Sequence, residues 1–209
     1  MDKIYKSVLV MQWNARGLRN KLPDIKVFLL QHRGPILAIS EAYVRNDFML
    51  SGYVMFRQQD TDISRTVLLI RRDLTATVLP NPSVPFDSVR CKVRLGKTAL
   101  TIVSLYIQPS IRLSRSDLEI ILDSVQPPFL VVGDVNAHHP AWGSTRTDRR
   151  GRMWKRMIED RDLCLLNDGS PTFLGRTLST DVLDIAVCSR DINHHMSWYT
   201  DLDGRGSDH

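Results

Sequence analysis

Gly133-Asp134-Val135-Asn136 sets a carboxylate and a carboxamide two residues apart, directly behind the apolar run Phe129-Leu130-Val131-Val132. Such a run reads as a buried strand, and in extended chain the side chains at i and i+2 face the same way. A carboxylate that takes a proton from water, beside an amide that donates to a phosphate oxygen, is equipment for phosphodiester hydrolysis. Polar residues recur at the same kind of place elsewhere. Asn14 ends a first strand in Gln12-Trp13-Asn14, and Glu41 follows a second in Ile39-Ser40-Glu41. Tyr106 lies late in Val103-Ser104-Leu105-Tyr106, Asp184 opens Asp184-Ile185-Ala186-Val187, and Ser207-Asp208-His209 closes the sequence. Carboxylates, amides and a histidine on one rim suit a hard divalent cation and a phosphate. Crowded carboxylates also raise one another's pKa, which fits one of them to act on water.

Taken singly, each residue has a plainer reading: a turn asparagine, a surface glutamate, a core tyrosine. The pairs His138-His139 and His194-His195 do not make a zinc site, because adjacent side chains in extended chain point to opposite faces and no cysteine accompanies them. Trp142 is expected to plug the core and order the loop behind the Gly-Asp-x-Asn turn.

The elements that must position these residues alternate in type. Strands are expected at Val8–Trp13, Ile36–Ser40, Tyr53–Arg57, Thr66–Arg71, Thr75–Leu79, Ser88–Leu95 and Thr98–Ile107, the last two joined by a tight Gly96-Lys97 turn. In Ser88–Leu95, Val89, Cys91 and Val93 alternate with Arg90, Lys92 and Arg94, the pattern of a strand with one wet face. Helices are expected near 20–31, near 116–125 behind a capping box that starts at Ser116, and near 151–162. Short strands follow near 163–166, 182–188 and 195–200. The mixture implies one α/β domain rich in short strands, a sheet sandwich rather than a purely parallel doubly wound sheet.

With 209 residues, 43% of them hydrophobic, the chain can bury a large core. No apolar run approaches the roughly 18 residues of a membrane span. Cys91, Cys164 and Cys188 are odd in number and widely spaced. They point to a reducing compartment, with Cys164 and Cys188 expected as buried thiols. A net charge of +5 suggests a polyanionic partner. Arg146, Arg149, Arg150, Arg152, Lys155 and Arg156 crowd behind the Gly-Asp-x-Asn turn, either as a solvated helix face and loop or as a surface that contacts a phosphate backbone.

In order along the chain, Trp13-Asn14-Ala15-Arg16-Gly17-Leu18, Glu41, Ser104-Leu105-Tyr106, Gly133-Asp134-Val135-Asn136, Asp184-Ile185 and Ser207-Asp208-His209 resemble the exonuclease–endonuclease–phosphatase superfamily. More narrowly, Asn136-Ala137-His138-His139, Trp142-Gly143-Ser144, Asn167, Pro171-Thr172-Phe173 and Leu183-Asp184-Ile185 resemble the endonuclease domain of non-LTR (LINE-type) retrotransposons. The resemblance implies a DNase I-like four-layer sandwich, two packed mixed β-sheets flanked by helices. It implies a metal-dependent DNA endonuclease that leaves a 3′-hydroxyl to prime reverse transcription. Glu41 would be the principal magnesium ligand, with Asn14 beside it and Asp208 completing or bridging the metal environment; manganese would also suit oxygen ligands. Asp134 would activate water, Asn136, Tyr106 and His209 would meet the scissile phosphate, and Asp184 would orient His209. Arg16, Arg146, Arg149, Arg150, Arg176 and Thr177 would contact double-stranded DNA, with Arg176 and its neighbours probing the minor groove.

Glu41-Ala42-Tyr43 stands where this group often has Glu-Thr-Trp, and Gly-Asp-Val-Asn replaces the commoner Gly-Asp-Phe-Asn. Both changes spare the chemical residues. In the family a further apolar strand follows Ser-Asp-His, so residues 1–209 are expected to form a single domain without that strand. The resemblance also implies a longer polyprotein with a reverse transcriptase, and an intracellular, nuclear location. A phosphatase or phosphodiesterase of the same superfamily would share the metal site, and a catalytically silent DNA-binding module would share the basic surface.

Overall fold

The computed structural model describes residues 8–32, 34, 36–45, 47–58, 61–175, 179–201 and 207–209. Two sheets pack face to face. The first has the order β1-β2-β4-β3, formed by β1 (Val10–Asn14), β2 (Ile36–Ser40), β3 (Tyr53–Arg57) and β4 (Val67–Arg71). The second runs β5-β6-β7-β8-β12-β9, with β5 (Ala76–Leu79), β6 (Asp87–Leu95), β7 (Thr98–Tyr106), β8 (Phe129–Asp134), β9 (Cys164–Leu165) and β12 (Asp184–Cys188). A small hairpin, β10 (Phe173–Leu174) and β11 (Thr180–Asp181), stands apart.

Period-two alternation builds the layers. Ile36, Ala38, Leu68 and Ile70 meet Val89, Cys91, Val93, Ile102, Leu130, Val132, Ala186 and Cys188 between the sheets. The intervening residues of the first sheet, Leu37, Ile39, Val67 and Leu69, face Ile25 of α1 (Leu22–His32). Those of the second, Val103, Leu105, Val131, Ile185 and Val187, face α2 (Arg115–Asp123) and α3 (Arg149–Asp160). Both sheets mix parallel and antiparallel pairs. The result is the four-layer sandwich.

Several local expectations need correction. The capping box of α2 uses Ser114 and Asp117 rather than Ser116, so the helix begins at Arg115. Residues 195–200 form no strand: a 3-10 helix, Arg190–His195, precedes irregular chain. Arg90, expected on a wet face, is 5% exposed, because its guanidinium donates to the Ser124 carbonyl and hydroxyl at the end of α2. Cys188 and Cys91 are buried, but Cys164 is only half-buried. Burial pushes the Cys91 thiol up to about 12 and the Cys188 thiol up to about 11, so both stay protonated and inert.

Candidate active site

Strand register gathers the polar residues at one end of the sandwich. In the six-stranded sheet Asp87, Tyr106, Asp134 and Asp184 pair in one row across β6, β7, β8 and β12. In the four-stranded sheet Asn14 pairs with Ser40, and Glu41 follows at once. The row, Asn14 and Ser40 lie in phase with the residues of the inter-sheet core and close its mouth, while Glu41 turns out of β2 at φ 47°. Polar staples hold the sheets together there: Ser40 Oγ donates to the Leu105 carbonyl at 3.0 Å, and the Thr66 and Ser104 hydroxyls lie 2.9 Å apart.

Two glycines permit the close fit. Gly133 has φ 151°, and a Cβ there would stand 2.0 Å from the Leu105 carbonyl oxygen in the next strand. Gly151, in the first turn of α3, lies against the His138 carbonyl, which an added Cβ would approach to 1.9 Å. Asp148 caps that helix through its side chain, which accepts from the Gly151 N–H. Trp142 is fully buried and donates Nε1–H to the Ala137 carbonyl, fixing the loop behind Asn136 as expected.

At the centre, the Asn14 amide donates to Glu41 Oε1 at 2.9 Å and to Asp134 Oδ2 at 2.8 Å. Tyr106 donates its hydroxyl to Glu41 Oε1 at 3.0 Å. Asp134 Oδ1 accepts from the Asn136 backbone N–H at 3.0 Å. The geometry of Asn136 differs from the extended i, i+2 pattern: its φ is 46°, and its side-chain amide donates to the Ile107 carbonyl. The turn itself, an Asp side chain capping the N–H two residues on, bends the chain out of the strand.

A second chain of contacts runs through His209. Its Nδ1 lies 2.7 Å from Asp184 Oδ2, and its Nε2 lies 4.0 Å from Asp134 Oδ2. Asp184 Oδ1 accepts from the Gln12 amide at 2.7 Å, and Phe173 meets the imidazole edge-on with centroids 5.1 Å apart. Ser207 Oγ donates to the Asn14 carbonyl at 2.6 Å, which ties this terminal segment to β1.

The buried carboxylates disturb each other. Burial pushes the Asp134 carboxyl up to about 7, with the Asp184 charge adding to the rise; His209, Asn14 and the Asn136 N–H oppose it. Burial alone would lower His209, but the charge and hydrogen bond of Asp184, helped by Asp134 and Asp208, outweigh it and raise the imidazole to about 9. Tyr106 is raised by burial and then by Glu41, so its phenol remains a donor.

Two groupings here could hold a cation. Asp134, Asp184 and His209 bring ligand atoms within 4.8 Å of one another. Yet both Asp184 oxygens already accept hydrogen bonds, and His209 Nδ1 is one of the donors. In that trio Asp184 orients the His209 imidazole, whose Nε2 faces Asp134 at 4.0 Å. The expected ligands Glu41 and Asn14 also adjoin here, and Asp208 follows Ser207, which bonds to Asn14. Asp208 Oδ1 is buried with no hydrogen-bond partner among the described residues, and Asn14 Oδ1 accepts one backbone N–H, from Arg16 at 3.2 Å.

The expected DNA-contacting arginines divide. Arg16 is exposed and pairs with Asp208 at 2.6 Å. Arg146 donates to His138 Nε2 at 2.7 Å, and His138 Nδ1 lies 3.0 Å from Asp181 at the foot of β11. Arg149 is exposed. Arg150 does not offer a free guanidinium: it donates to the carbonyls of Ile107, Gln108, Pro109, Ile111, Val135 and Asn136. It clamps the loops behind β7 and β8, a role that charge counting could not distinguish from DNA contact. Arg176 and Thr177 lie outside the described residues. Asp87 is the member of the row that sequence reasoning missed; no apolar run precedes it, and only register puts it beside Tyr106.

A family model described as endonuclease-reverse transcriptase matches residues 100–209. Among curated proteins, the probable RNA-directed DNA polymerase from transposon X-element of Drosophila melanogaster is 27% identical over 172 residues, covering 78% of this chain and 19% of the relative. The RNA-directed DNA polymerase from mobile element jockey of the same species is 26% identical, with 77% and 18% covered. The chain therefore spans about a fifth of the length of these relatives. Among solved structures, the endonuclease domain of TRAS1, a telomere-specific non-LTR retrotransposon, aligns with a TM-score of 0.82 at 22% identity over 97% of this chain and 95% of that one. An AP endonuclease from Archaeoglobus fulgidus aligns with a TM-score of 0.76 at 13% identity, over 97% and 96%.

Proposed function

The chain belongs to the endonuclease-reverse transcriptase family, as an AP-endonuclease-like domain of the non-LTR retrotransposon type, and we propose that it nicks double-stranded DNA by magnesium-dependent hydrolysis. The observation that carries this reading is Asp134. It is a buried carboxylate held by the Asn14 amide on one oxygen and the Asn136 N–H on the other, with a raised pKa that suits it to accept a proton.

Water attacks the phosphorus, and the bond from phosphorus to the 3′ oxygen breaks. The water's proton passes to Asp134, while the 3′ oxygen leaves and takes a proton from solvent. The products carry a 5′-phosphate and a 3′-hydroxyl. His209, cationic beside Asp184, and the Tyr106 phenol donate toward the charge that grows on the phosphoryl oxygens. Asn136 reaches the phosphate once its amide leaves the Ile107 carbonyl. Glu41, Asn14 and Asp208 would hold a divalent cation, magnesium with manganese as substitute, which supplies Lewis acidity at the phosphoryl oxygen.

Arg16, Arg146 and Arg149 would contact the DNA backbone around this rim, and Arg176 and Thr177 the groove beyond it. The similarity to RNA-directed DNA polymerases supports a place within a longer polyprotein, whose reverse transcriptase extends the 3′-hydroxyl at the nick. Action on chromosomal DNA would put the protein in the nucleus. The test is supercoiled plasmid with magnesium added or chelated, followed by DNA ligase. Metal-dependent conversion to an open circle that ligase reseals supports the reading. Nicks that ligase cannot seal, or none at any metal concentration, contradict it.

A further inference from the structure

Asp87 and Asp184 occupy opposite ends of the polar row, and only the Asp184 end is absorbed by the chemistry above. At the Asp87 end the nearly buried carboxylate accepts from Arg65 Nη1 and from the Gln108 amide, each at 3.3 Å. The Arg65 side chain is 44% exposed, the Arg65 carbonyl accepts the Ala42 N–H next to Tyr43, and the Arg65 charge acts on the Tyr43 phenol. Among the described residues, one of its five N–H donors is engaged, with Asp87.

Tyr43 completes the cluster. Its hydroxyl lies 3.4 Å from Glu41 Oε2, and the residue is 47% exposed. Its φ is 46°, a region costly for a bulky side chain. Among the described non-glycine residues at positive φ, Arg16, Glu41, Tyr43 and Asn136 all line this rim, and only Asp162 lies elsewhere. A half-exposed aromatic ring held at such an angle gains little from packing, and strain of this kind persists where a site uses it.

We infer that Tyr43, Arg65 and Gln108 form a nucleotide subsite for the phosphate and sugar next to the scissile linkage, with Asp87 as its positioning residue. The inference rests on the endonuclease reading. The neighbouring phosphate of the cut strand accepts from Arg65 and Gln108. The apolar face of its deoxyribose packs on the Tyr43 ring, and Asp87 aims the guanidinium without neutralising all of its donors.

The test uses the whole chain in two arms. Binding of a labelled duplex in EDTA across a salt series needs no cutting. Arg65→Gln should lower the slope of log affinity against log salt by about 0.9, the loss of one phosphate contact. Arg65→Lys should keep most of that slope. In magnesium, the duplex carries an uncharged methylphosphonate on one or the other side of a mapped nick. Neutralisation on one side should raise KM about tenfold for the natural sequence and leave Arg65→Gln unaffected. Tyr43→Gly should raise KM while melting no earlier than the natural chain, since it removes the ring and the strain together. An unchanged slope, or an Arg65→Gln protein as sensitive to both methylphosphonates as the natural one, overturns the subsite. Failure of the natural chain to nick overturns the endonuclease reading alone, because the binding arm still decides the subsite.

Discussion

Replacing Gly133 by alanine asks how closely β7 and β8 must approach to present Asp134. The added Cβ would sit 2.0 Å from the Leu105 carbonyl oxygen, 2.8 Å from its carbon and 2.9 Å from the Leu105 nitrogen. These are backbone atoms of a central strand and cannot swing aside, so the strands must part by about 1 Å or more. The bond from the Ile107 N–H to the Asp134 carbonyl, now 2.9 Å, would then stretch past useful length. Losing two such ladder bonds costs roughly 1–3 kcal/mol, and the φ of 151° adds roughly 1–2 kcal/mol. The total, roughly 2–5 kcal/mol, corresponds to a fall in Tm of roughly 4–20 °C for a domain of this size. Gly52→Ala is the control. Its φ is 81°, yet nothing lies within 4 Å of the new Cβ, so it carries the backbone cost alone, roughly 3–6 °C. Thermal denaturation followed by circular dichroism compares the two. Because a displacement of about 1 Å at a reacting group can cost about 100-fold in rate, Gly133→Ala should also nick about 100-fold more slowly. Equal melting of the two variants, or nicking by Gly133→Ala within threefold of the natural chain, would refute the close-approach argument.

Asp184→Asn should remove the main influence raising the His209 pKa, leaving only Asp134 and Asp208 to offset burial, so the imidazole loses its proton at a pH well below 9. Nicking should fall by roughly 10²–10⁴-fold; an imidazole NMR titration that still ends near pH 9 would count against this. Activity should decline on the acid side as Asp134 protonates through about 7, not near 4, and on the alkaline side as His209 loses its proton through about 9. A kcat/KM profile flat to pH 5 contradicts that window. The raised His209 pKa also contributes stability that is full below about 6.5 and lost as pH rises through about 9. Arg150→Met should destabilise the fold by roughly 2–4 kcal/mol, since the fork serves six carbonyls, while DNA affinity per folded molecule holds. Arg150→Lys should not rescue it, because an ammonium lacks the planar fork. Urea unfolding with binding titrations checks both.

Much of the rim was legible because strands announce themselves by apolar runs, and Asn14, Glu41 and Asp134 each end or follow one. Register was not legible. It places Asp87 beside Tyr106 and sets Asp184 opposite Asp134, and it depends on which strands pair across long stretches of chain. Charge in sequence likewise said nothing of direction. Arg150 and Arg149 are neighbours on α3, yet one turns onto loop carbonyls while the other stays exposed. Asn136 was placed correctly in sequence but not in conformation, since the capping of its N–H by Asp134 overrides the strand's alternation. Ser114 and Ser116 both stand three residues before an acidic side chain, Asp117 and Glu119, so the box could be set in either register, and the structure sets it at Ser114.

The central claim is that Asp134 acts on water within a rim built to hold DNA, so cutting and binding must separate at that residue. Single-turnover nicking and duplex affinity should be measured side by side for the natural chain and Asp134→Asn in magnesium. Nicking should fall by at least about 10³-fold with the dissociation constant within threefold. Nicking that survives the substitution, or is lost only in proportion to lost binding, would contradict a role for Asp134 on water.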